Sequence, residues 1–160
     1  MPKGRGLNDS VKEQLLVPAP HPATPILNPS TGTHEFGRFP EINSRHVKFP
    51  AGPIVLRHGQ HRGPNSGFGL VHIWKEHFPV HDSVDQASSH VIGFIQNILR
   101  PGSKIHYESE LGRRANRPLV WRNREGTAIL ELREDTDGPV YSIVTAFRSR
   151  GPVGFQIGSL

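Results

Sequence analysis

Side chains that can move protons and bind phosphate recur at three places in this chain. His72 lies in the segment GLVHIWKEH, Glu131 and Arg133 alternate along a later strand-like segment, and Thr145 lies in the next such segment. Histidine titrates nearest to neutral pH, so a histidine beside a carboxylate and a cation can act as a general acid or base on a phosphodiester. RNA carries its own nucleophile, the 2′-hydroxyl, so a base, an acid and cations that stabilise the phosphorane suffice for cleavage without a metal.

Other residues are assigned to the same site by their type. His77 joins the catalytic set. The run GRRANRPLVWRNR, residues 112–124, carries five arginines, no acid and one tryptophan. Arginine forks match phosphate oxygens and an aromatic face can stack a base, although a solvated loop followed by an edge strand would have the same composition. The residues assigned to substrate binding are His58, His61, Arg114, Trp121, Arg122 and Arg148.

A glycine-rich loop that leads into a short helix must position His72. Gly63, Gly67 and Gly69 lack a Cβ, so the backbone there can turn sharply or approach a ligand closely. The segment Leu70–His77 has a weak helical period, which predicts a short helix. This period puts Leu70, Ile73, Trp74 and His77 on the inward face, and His72, Lys75 and Glu76 off it.

A second helix has the strongest pattern in the chain. Apolar residues recur at helical spacing from Val84 to Leu99, which predicts an amphipathic helix. Ser83 with Gln86 forms a capping box at its start, and Arg100-Pro101-Gly102 ends it. We expect its apolar face to pack against a sheet.

After the second helix the apolar period changes to that of strands. The strand-like segments, separated by turn sequences, are Lys104–Tyr107, Arg117–Arg122, Thr127–Glu134 and Val140–Arg148, and Val153–Ile157 can add an edge strand. We therefore expect an α+β fold in which N-terminal helices pack on a C-terminal antiparallel β-meander sheet, preceded by a Pro-rich extended arm.

Alternation along the strands assigns side chains to faces. In the middle strand, Glu131 and Arg133 share one face and Leu130 lies on the other. The next strand is ambiguous. If Val144 and Ala146 pack against the helix, its opposite face lies beside Glu131 and Arg133. That face would consist of Tyr141, Thr145 and Phe147.

The first 50 residues look least like a packed domain. Asn8–Val17 can form one short helix, and residues 17–32 hold five prolines, which predicts an extended linker. The segment His34–Phe49 has too many apolar groups to remain in water, so we expect it to wrap on the domain as irregular structure. We divide the chain into an N-terminal arm and linker, 1–50, and a compact α+β catalytic domain, 51–160.

Composition limits the classes of protein. The chain has no cysteine, which excludes disulfides and thiolate sites, and its net charge of +5 with 10 histidines favours a polyanionic partner. No apolar run approaches the roughly 20 residues of a membrane helix, and no apolar signal-peptide core is visible. We expect no membrane partner, and either a cytoplasmic location or delivery into a target cell by a route other than Sec.

The order of these elements resembles a known family. The glycine loop, the helix with His72-Ile73, the long amphipathic helix and a late meander ending in VTAF (144–147) are similar to the metal-independent ribonuclease toxins of the barnase, EndoU, colicin and RelE-like superfamily. The phage-associated and polymorphic-toxin branches are the most similar, and the resemblance covers about residues 50–160.

The resemblance implies a toxic effector endoribonuclease of bacterial competition, without a cofactor. Its substrate would be RNA, with tRNA as one candidate, and its partner a cognate immunity protein. It puts the helix histidine of the family on His72, the late-strand hydroxyl on Thr145, and the phosphate-binding cation on Arg133 or Arg122. Members often have a tyrosine where this chain has Phe147, which puts a tyrosine-assisted mechanism in doubt.

A metal-dependent nuclease is one alternative. His58-x-x-His61 and His77-x-x-x-His81 have spacings that could chelate zinc, copper or nickel. Against it, no HExxH is present, and Pro79 prevents His77 and His81 from sharing one helix. We therefore expect no metal ligands.

Two further alternatives stay open. One is a non-enzymatic module that binds RNA through residues 112–124, or binds a protein. The other is an ADP-ribosyltransferase toxin, since such folds also mix short helices with strands, but the chain has no convincing nicotinamide-site signature.

Overall fold

The described part of the chain forms eleven strands and two helices. The structure, a computed structural model, describes residues 20–108 and 115–160. The helices are α1 (Gly69–His77) and α2 (Val84–Ile98). The strands are β1 (Glu35–Phe39), β2 (Ile42–Asn43), β3 (Lys48–Phe49), β4 (Gly52–Val55), β5 (Gln60–Gly63), β6 (Ser66–Phe68), β7 (Lys104–Tyr107), β8 (Leu119–Arg122), β9 (Gly126–Asp135), β10 (Gly138–Phe147) and β11 (Phe155–Ser159).

Seven strands form one curled, mixed sheet in the order β1-β4-β10-β9-β8-β7-β11. All neighbours pair antiparallel except β4 and β10, which are parallel. The predicted meander is present from β7 to β10, and the predicted edge strand is β11. The sheet is nevertheless mixed, because β4 joins it from the N-terminal half of the chain. The fold is a mixed α+β fold in which six short strands precede the helices.

The long amphipathic helix is confirmed as α2. Its apolar stripe, including Val91, Ile95 and Ile98, is fully buried. The Ser83 hydroxyl accepts the backbone N–H of Gln86 at 3.2 Å, as the capping box predicts. The side chain of Gln86 reaches back to the backbone N–H of residue 82, one residue before the cap, at 3.0 Å. The start of α2 is therefore fixed by its own sequence.

The strands β9 and β10 place side chains both in the core and on an open face of the sheet. In β9 the alternation holds, with Leu130 in the core and Glu131 on the opposite face. In β10 the register shifts between Ile143 and Thr145, a β-bulge that reverses the phase of the strand. The core residues of β10 are Tyr141, Ile143 and Ala146, and those on the open face are Ser142, Val144, Thr145 and Phe147.

Neither of the two face assignments predicted for β10 is therefore correct along the whole strand. Thr145 and Phe147 lie beside Glu131 as one alternative expected, but Tyr141 does not. Its ring is buried, and its hydroxyl donates a hydrogen bond to the carbonyl oxygen of Pro50 at 2.6 Å. A strict period of two cannot describe a strand that contains a bulge.

Residues 35–49 contribute strands and core side chains. β1 pairs with β4 at the end of the main sheet, and β2 pairs with β3. The prediction of irregular structure for this segment is wrong in this respect, because the free edge of β4 offers backbone groups that β1 satisfies. Phe36, Phe39 and Phe49 are buried, and Phe39 stacks on Tyr141 with ring centroids 4.1 Å apart.

Some predictions fall outside the described residues. These are the short helix at Asn8–Val17 and the side chain of Arg114. In the described ranges α1 has 9 residues and α2 has 15, and neither helix is long and apolar enough to cross a membrane.

Because His106 of β7 is buried, we expect the protein to lose stability in acid. Its side chain is 8% exposed, and burial lowers its pKa below 6.5 because the imidazolium would lose its hydration. The unfolded chain then takes up a proton that the folded chain does not, so the free energy of unfolding falls as the pH drops below about 6.5. Urea denaturation at pH 7.5 and 5.5 should show a smaller loss for His106→Gln than for the wild type. Equal losses would contradict this assignment.

Candidate active site

One cavity of about 890 Å³ separates the β5–β6 hairpin and α1 from the open face of β9 and β10. A cavity of this size can hold a nucleotide-sized ligand. All five residues predicted to be catalytic line it: His72, His77, Glu131, Arg133 and Thr145. The helix supplies imidazoles to one wall and the sheet supplies guanidinium and hydroxyl groups to the other.

Two imidazoles meet at the helix wall. The Nδ1 atoms of His61 and His72 lie 3.1 Å apart, and their rings are stacked with centroids 5.4 Å apart. One Nδ1 must donate and the other accept, so the pair carries one proton between these two atoms. Burial lowers the pKa of His72, the carboxylate of Glu76 opposes this, and the charges of His61 and His77 add to it. The net effect lowers the pKa of His72, which favours the neutral imidazole.

The prediction that His72 lies off the buried side of α1 is wrong. Its side chain is only 4% exposed, whereas His77, predicted to face inward, is exposed at the cavity rim. The reason is the β5–β6 hairpin, which folds over the side of α1 that the helical period left to solvent. Leu70 and Ile73 are buried as predicted.

Gly67 gives the His72 ring its space. Gly67 pairs with His61 across the hairpin and has φ +138, a conformation that favours glycine. A Cβ at this position would collide with the carbonyl oxygen of Gln60 and would lie 2.8 Å from Nδ1 of His72. The glycine-rich sequence therefore allows the hairpin to lie directly against the imidazole.

The tip of the hairpin is tied to α1. The backbone N–H of Asn65, which has φ 56, donates to Oε1 of Glu76 at 2.5 Å. Glu76 lies one helical turn after His72 and lines the same cavity. This contact fixes the carboxylate beside the imidazole pair.

Glu131 organises the guanidinium groups of the sheet wall. Arg117 donates from Nε to Oε2 of Glu131 at 2.9 Å, and its Nη2 lies 2.8 Å from the same oxygen. Arg133 donates from Nη1 to Oε1 at 3.4 Å. The Glu131 side chain is 12% exposed, so the ion pair with Arg117 is better shielded than a surface pair. Arg117 is held firmly beside the cavity, whereas Arg133 is exposed and makes a longer contact.

Thr145 brings a buried hydroxyl to the cavity. Within the described residues its Oγ1 has no hydrogen-bond partner and is shielded from solvent. A buried hydroxyl without a partner costs about 1–3 kcal/mol. A polar ligand in the cavity could supply the missing partner. Ser142, which lies opposite Glu131 across the strands, adds a second hydroxyl-bearing residue to the same wall.

Other predicted substrate-binding residues lie apart from this cavity in the described structure. Arg122 donates to the carbonyl oxygen of Pro101 at 3.3 Å and to Oγ of Ser103 at 3.1 Å, so it ties β8 to the end of the α2–β7 turn. Trp121 packs edge-on to His106, with ring centroids 6.4 Å apart.

Arg148 and His58 also lie elsewhere. Arg148 is exposed and lines a smaller cavity of about 370 Å³ with His90 and Arg124. His58 is half-buried, and its backbone bonds to Thr24 and residue 71. Of the residues assigned to substrate binding, only His61 contacts His72 in the described structure.

Arg117 is the main residue that sequence reasoning missed. It lies in the arginine run, but the residues chosen there were Arg114 and Arg122. Strand register was the signal that could have found it. Pairing of Arg122 with Gly126 across the β8–β9 turn, continued along both strands, brings residue 117 opposite Glu131.

The chain matches no family model, and no curated protein or solved structure is significantly similar to it. The chemistry of the cavity is therefore the basis for any statement of function.

Substitution of Gly67 by alanine should disrupt the imidazole wall. Alanine at position 67 must adopt a positive φ, and its Cβ must displace the His72 ring. The free energy of unfolding should therefore fall by about 1–3 kcal/mol in urea denaturation. Gly93→Ala, in α2 where a Cβ meets open space, is the matched control and should be neutral or stabilising by up to about 1 kcal/mol. Equal stability of Gly67→Ala and the wild type would contradict this role.

Proposed function

We propose that the protein is an endoribonuclease that cleaves RNA by metal-independent general acid–base catalysis. One observation carries the proposal: a single cavity lies between the buried imidazole of His72, which is paired with His61, and a facing wall with two arginines and a buried hydroxyl. These are the groups that transesterification of a phosphodiester requires. The net charge of +5 favours a polyanionic substrate.

The reaction follows from these groups. A neutral imidazole removes the proton of the 2′-hydroxyl, whose oxygen attacks phosphorus. The bond to the 5′-oxygen breaks and that oxygen takes a proton, which leaves a 2′,3′-cyclic phosphate and a 5′-hydroxyl. His72 and His77 are the two groups of α1 that can exchange these protons, with His61 orienting His72. These proton transfers require no metal.

The sheet wall would stabilise the phosphorane. Arg117 and Arg133 can donate to its charged oxygens, because guanidinium groups held by a carboxylate are already oriented. The Thr145 hydroxyl can donate a further hydrogen bond that it lacks within the described residues of the free protein. Phe147, whose ring centroid is 5.6 Å from that of His77, offers an aromatic face to a base.

The resemblance to ribonuclease toxins supports the same reaction. It rests on the order of the glycine loop, the His72 helix, the long helix and the VTAF strand. Toxicity in bacterial competition, delivery into a target cell and a cognate immunity protein belong to the proposal through this resemblance alone.

Purified protein should cleave total RNA in EDTA and leave 2′,3′-cyclic phosphate ends. His72→Asn should lower the cleavage rate by about 10²-fold or more, since a general base contributes about 10²–10⁴-fold. His46→Asn, an exposed histidine outside the cavity, is the control and should retain activity. Undiminished cleavage by His72→Asn would overturn the assignment. RNA binding without cleavage would favour a binding module, and cleavage only with added metal a metal-dependent nuclease.

Thr145→Val separates a catalytic hydroxyl from a structural one. Valine has the same shape without the unpaired hydroxyl, so the free energy of unfolding should stay equal or rise by about 1 kcal/mol. The cleavage rate should fall about 10- to 100-fold, the value of one hydrogen bond to a charged group. Thr127→Val is the matched control, because the Thr127 hydroxyl bonds to that of Ser149 at 2.7 Å. That variant should lose stability and keep the rate constant of the folded enzyme. A Thr145→Val variant with full activity would remove the hydroxyl from the mechanism.

A further inference from the structure

Three ligand atoms converge at the helix wall of the cavity. Nδ1 of His61, Nδ1 of His72 and a carboxylate oxygen of Glu76 all lie within 4.8 Å of one another. No other group of three or more histidine or acidic side chains in residues 20–108 and 115–160 converges in this way. The histidine pairs chosen from sequence spacing, His58 with His61 and His77 with His81, are different sets.

We propose that His61, His72 and Glu76 form a binding site for a divalent transition metal of the zinc class. Two imidazoles and one carboxylate are a ligand set that zinc accepts, with the fourth position left for a water or a ligand. In a tetrahedral site with Zn–N bonds of about 2.0–2.1 Å, two nitrogen ligands lie about 3.3 Å apart. The two Nδ1 atoms are already 3.1 Å apart, which is close to that separation.

The surroundings hold the ligands in place before a metal arrives. The Asn65 N–H binds Oε1 of Glu76, which fixes the carboxylate and leaves its second oxygen to coordinate. The missing Cβ of Gly67 lets the His61 strand lie against the His72 ring. The hydrogen bond between the two Nδ1 atoms requires one of them to carry no proton, as a metal ligand must.

The site opens toward the proposed substrate. His72 and Glu76 line the 890 Å³ cavity, so a metal held by these two side chains would lie beside it. A metal on Nδ1 of His72 would hold the ring rigidly and draw electron density from it, which lowers its basicity. This consequence rests on the proposed function, and it makes zinc an inhibitor of the metal-free cleavage, reversed by EDTA.

A second histidine pair provides the control. Nε2 of His81 lies 3.0 Å from Nδ1 of His90, at an exposed position. Within the described residues this pair has no third histidine or acidic ligand that converges with it. Two ligands bind a metal more weakly than three, so this pair should contribute little at low metal concentration.

The test is metal titration of the full-length protein at pH 7.5, with zinc by calorimetry and with cobalt by its visible absorption. The wild type should bind one equivalent tightly and give a tetrahedral cobalt spectrum. His61→Ala and Glu76→Gln should each weaken binding by about 10-fold or more, and His90→Ala should leave it unchanged. Circular dichroism checks that each variant is folded. Absence of saturable binding by the wild type, or loss of it in His90→Ala with retention in His61→Ala, would overturn the proposed site.

RNA cleavage, measured on the same samples, separates the two proposals. If the protein binds zinc, His61→Ala abolishes this binding and no sample cleaves RNA, the metal site is supported and the ribonuclease proposal is wrong. Cleavage in EDTA by a protein that binds no zinc would do the reverse. Inhibition by zinc that EDTA reverses supports both. Activation by zinc with loss of cleavage in EDTA would support the metal site and overturn both its inhibitory role and the metal-independent reaction.

Discussion

The β-bulge between β9 and β10 is the constraint on which the site depends. Without the register shift, Thr145 would share a face with Tyr141 and Ile143 and would lie in the core. Ala146 would take its place in the cavity. The extra residue lets the first half of β10 fill the core with large side chains and the second half present a hydroxyl on the open face. Bulges commonly re-aim side chains beside functional sites, and here the bulge places the Thr145 hydroxyl on the sheet wall.

The charges of the cavity are arranged around a single carboxylate on the sheet wall. Glu131 accepts from Arg117 and Arg133, which would otherwise repel each other. Arg117, which is half-buried and contacts Glu131 through two nitrogens, loses little further side-chain freedom when it meets a phosphate. On the facing wall burial lowers the pKa of His72, so the proposed site would attract an anion through its arginines and keep a base free of protons. One wall would bind while the other would react.

Sequence patterns predicted the parts of the fold whose stability is local. The helix α2 and the strands β7 to β10 have strong periods and clear turn sequences, so their positions are close to those expected. Patterns failed where distant segments meet. The parallel pairing of β4 with β10 and the cover that the hairpin places over His72 depend on contacts that no local window contains.

The residues of the site divide in the same way. Glu131 and Arg133 could be assigned to one face because β9 alternates without interruption. The Thr145 position required knowledge of a bulge, and Arg117 required the register of β8 against β9. Residue type identified His72, but its burial comes from the hairpin of residues 60–68, which directly precedes α1 and folds back over it. Chemistry was readable from residue types, while geometry came from pairings between strands.

The parallel pairing of β4 with β10 also affects when the site forms during folding. It joins Ile54 to Tyr141, 87 positions later in the chain, and β10 carries the hydroxyl wall. Contacts between such distant segments form late, since a long loop must close before they gain any stabilisation. The loop between β4 and β10 contains the hairpin and the helix of the facing wall. The two walls of the cavity are therefore brought together by the same closure.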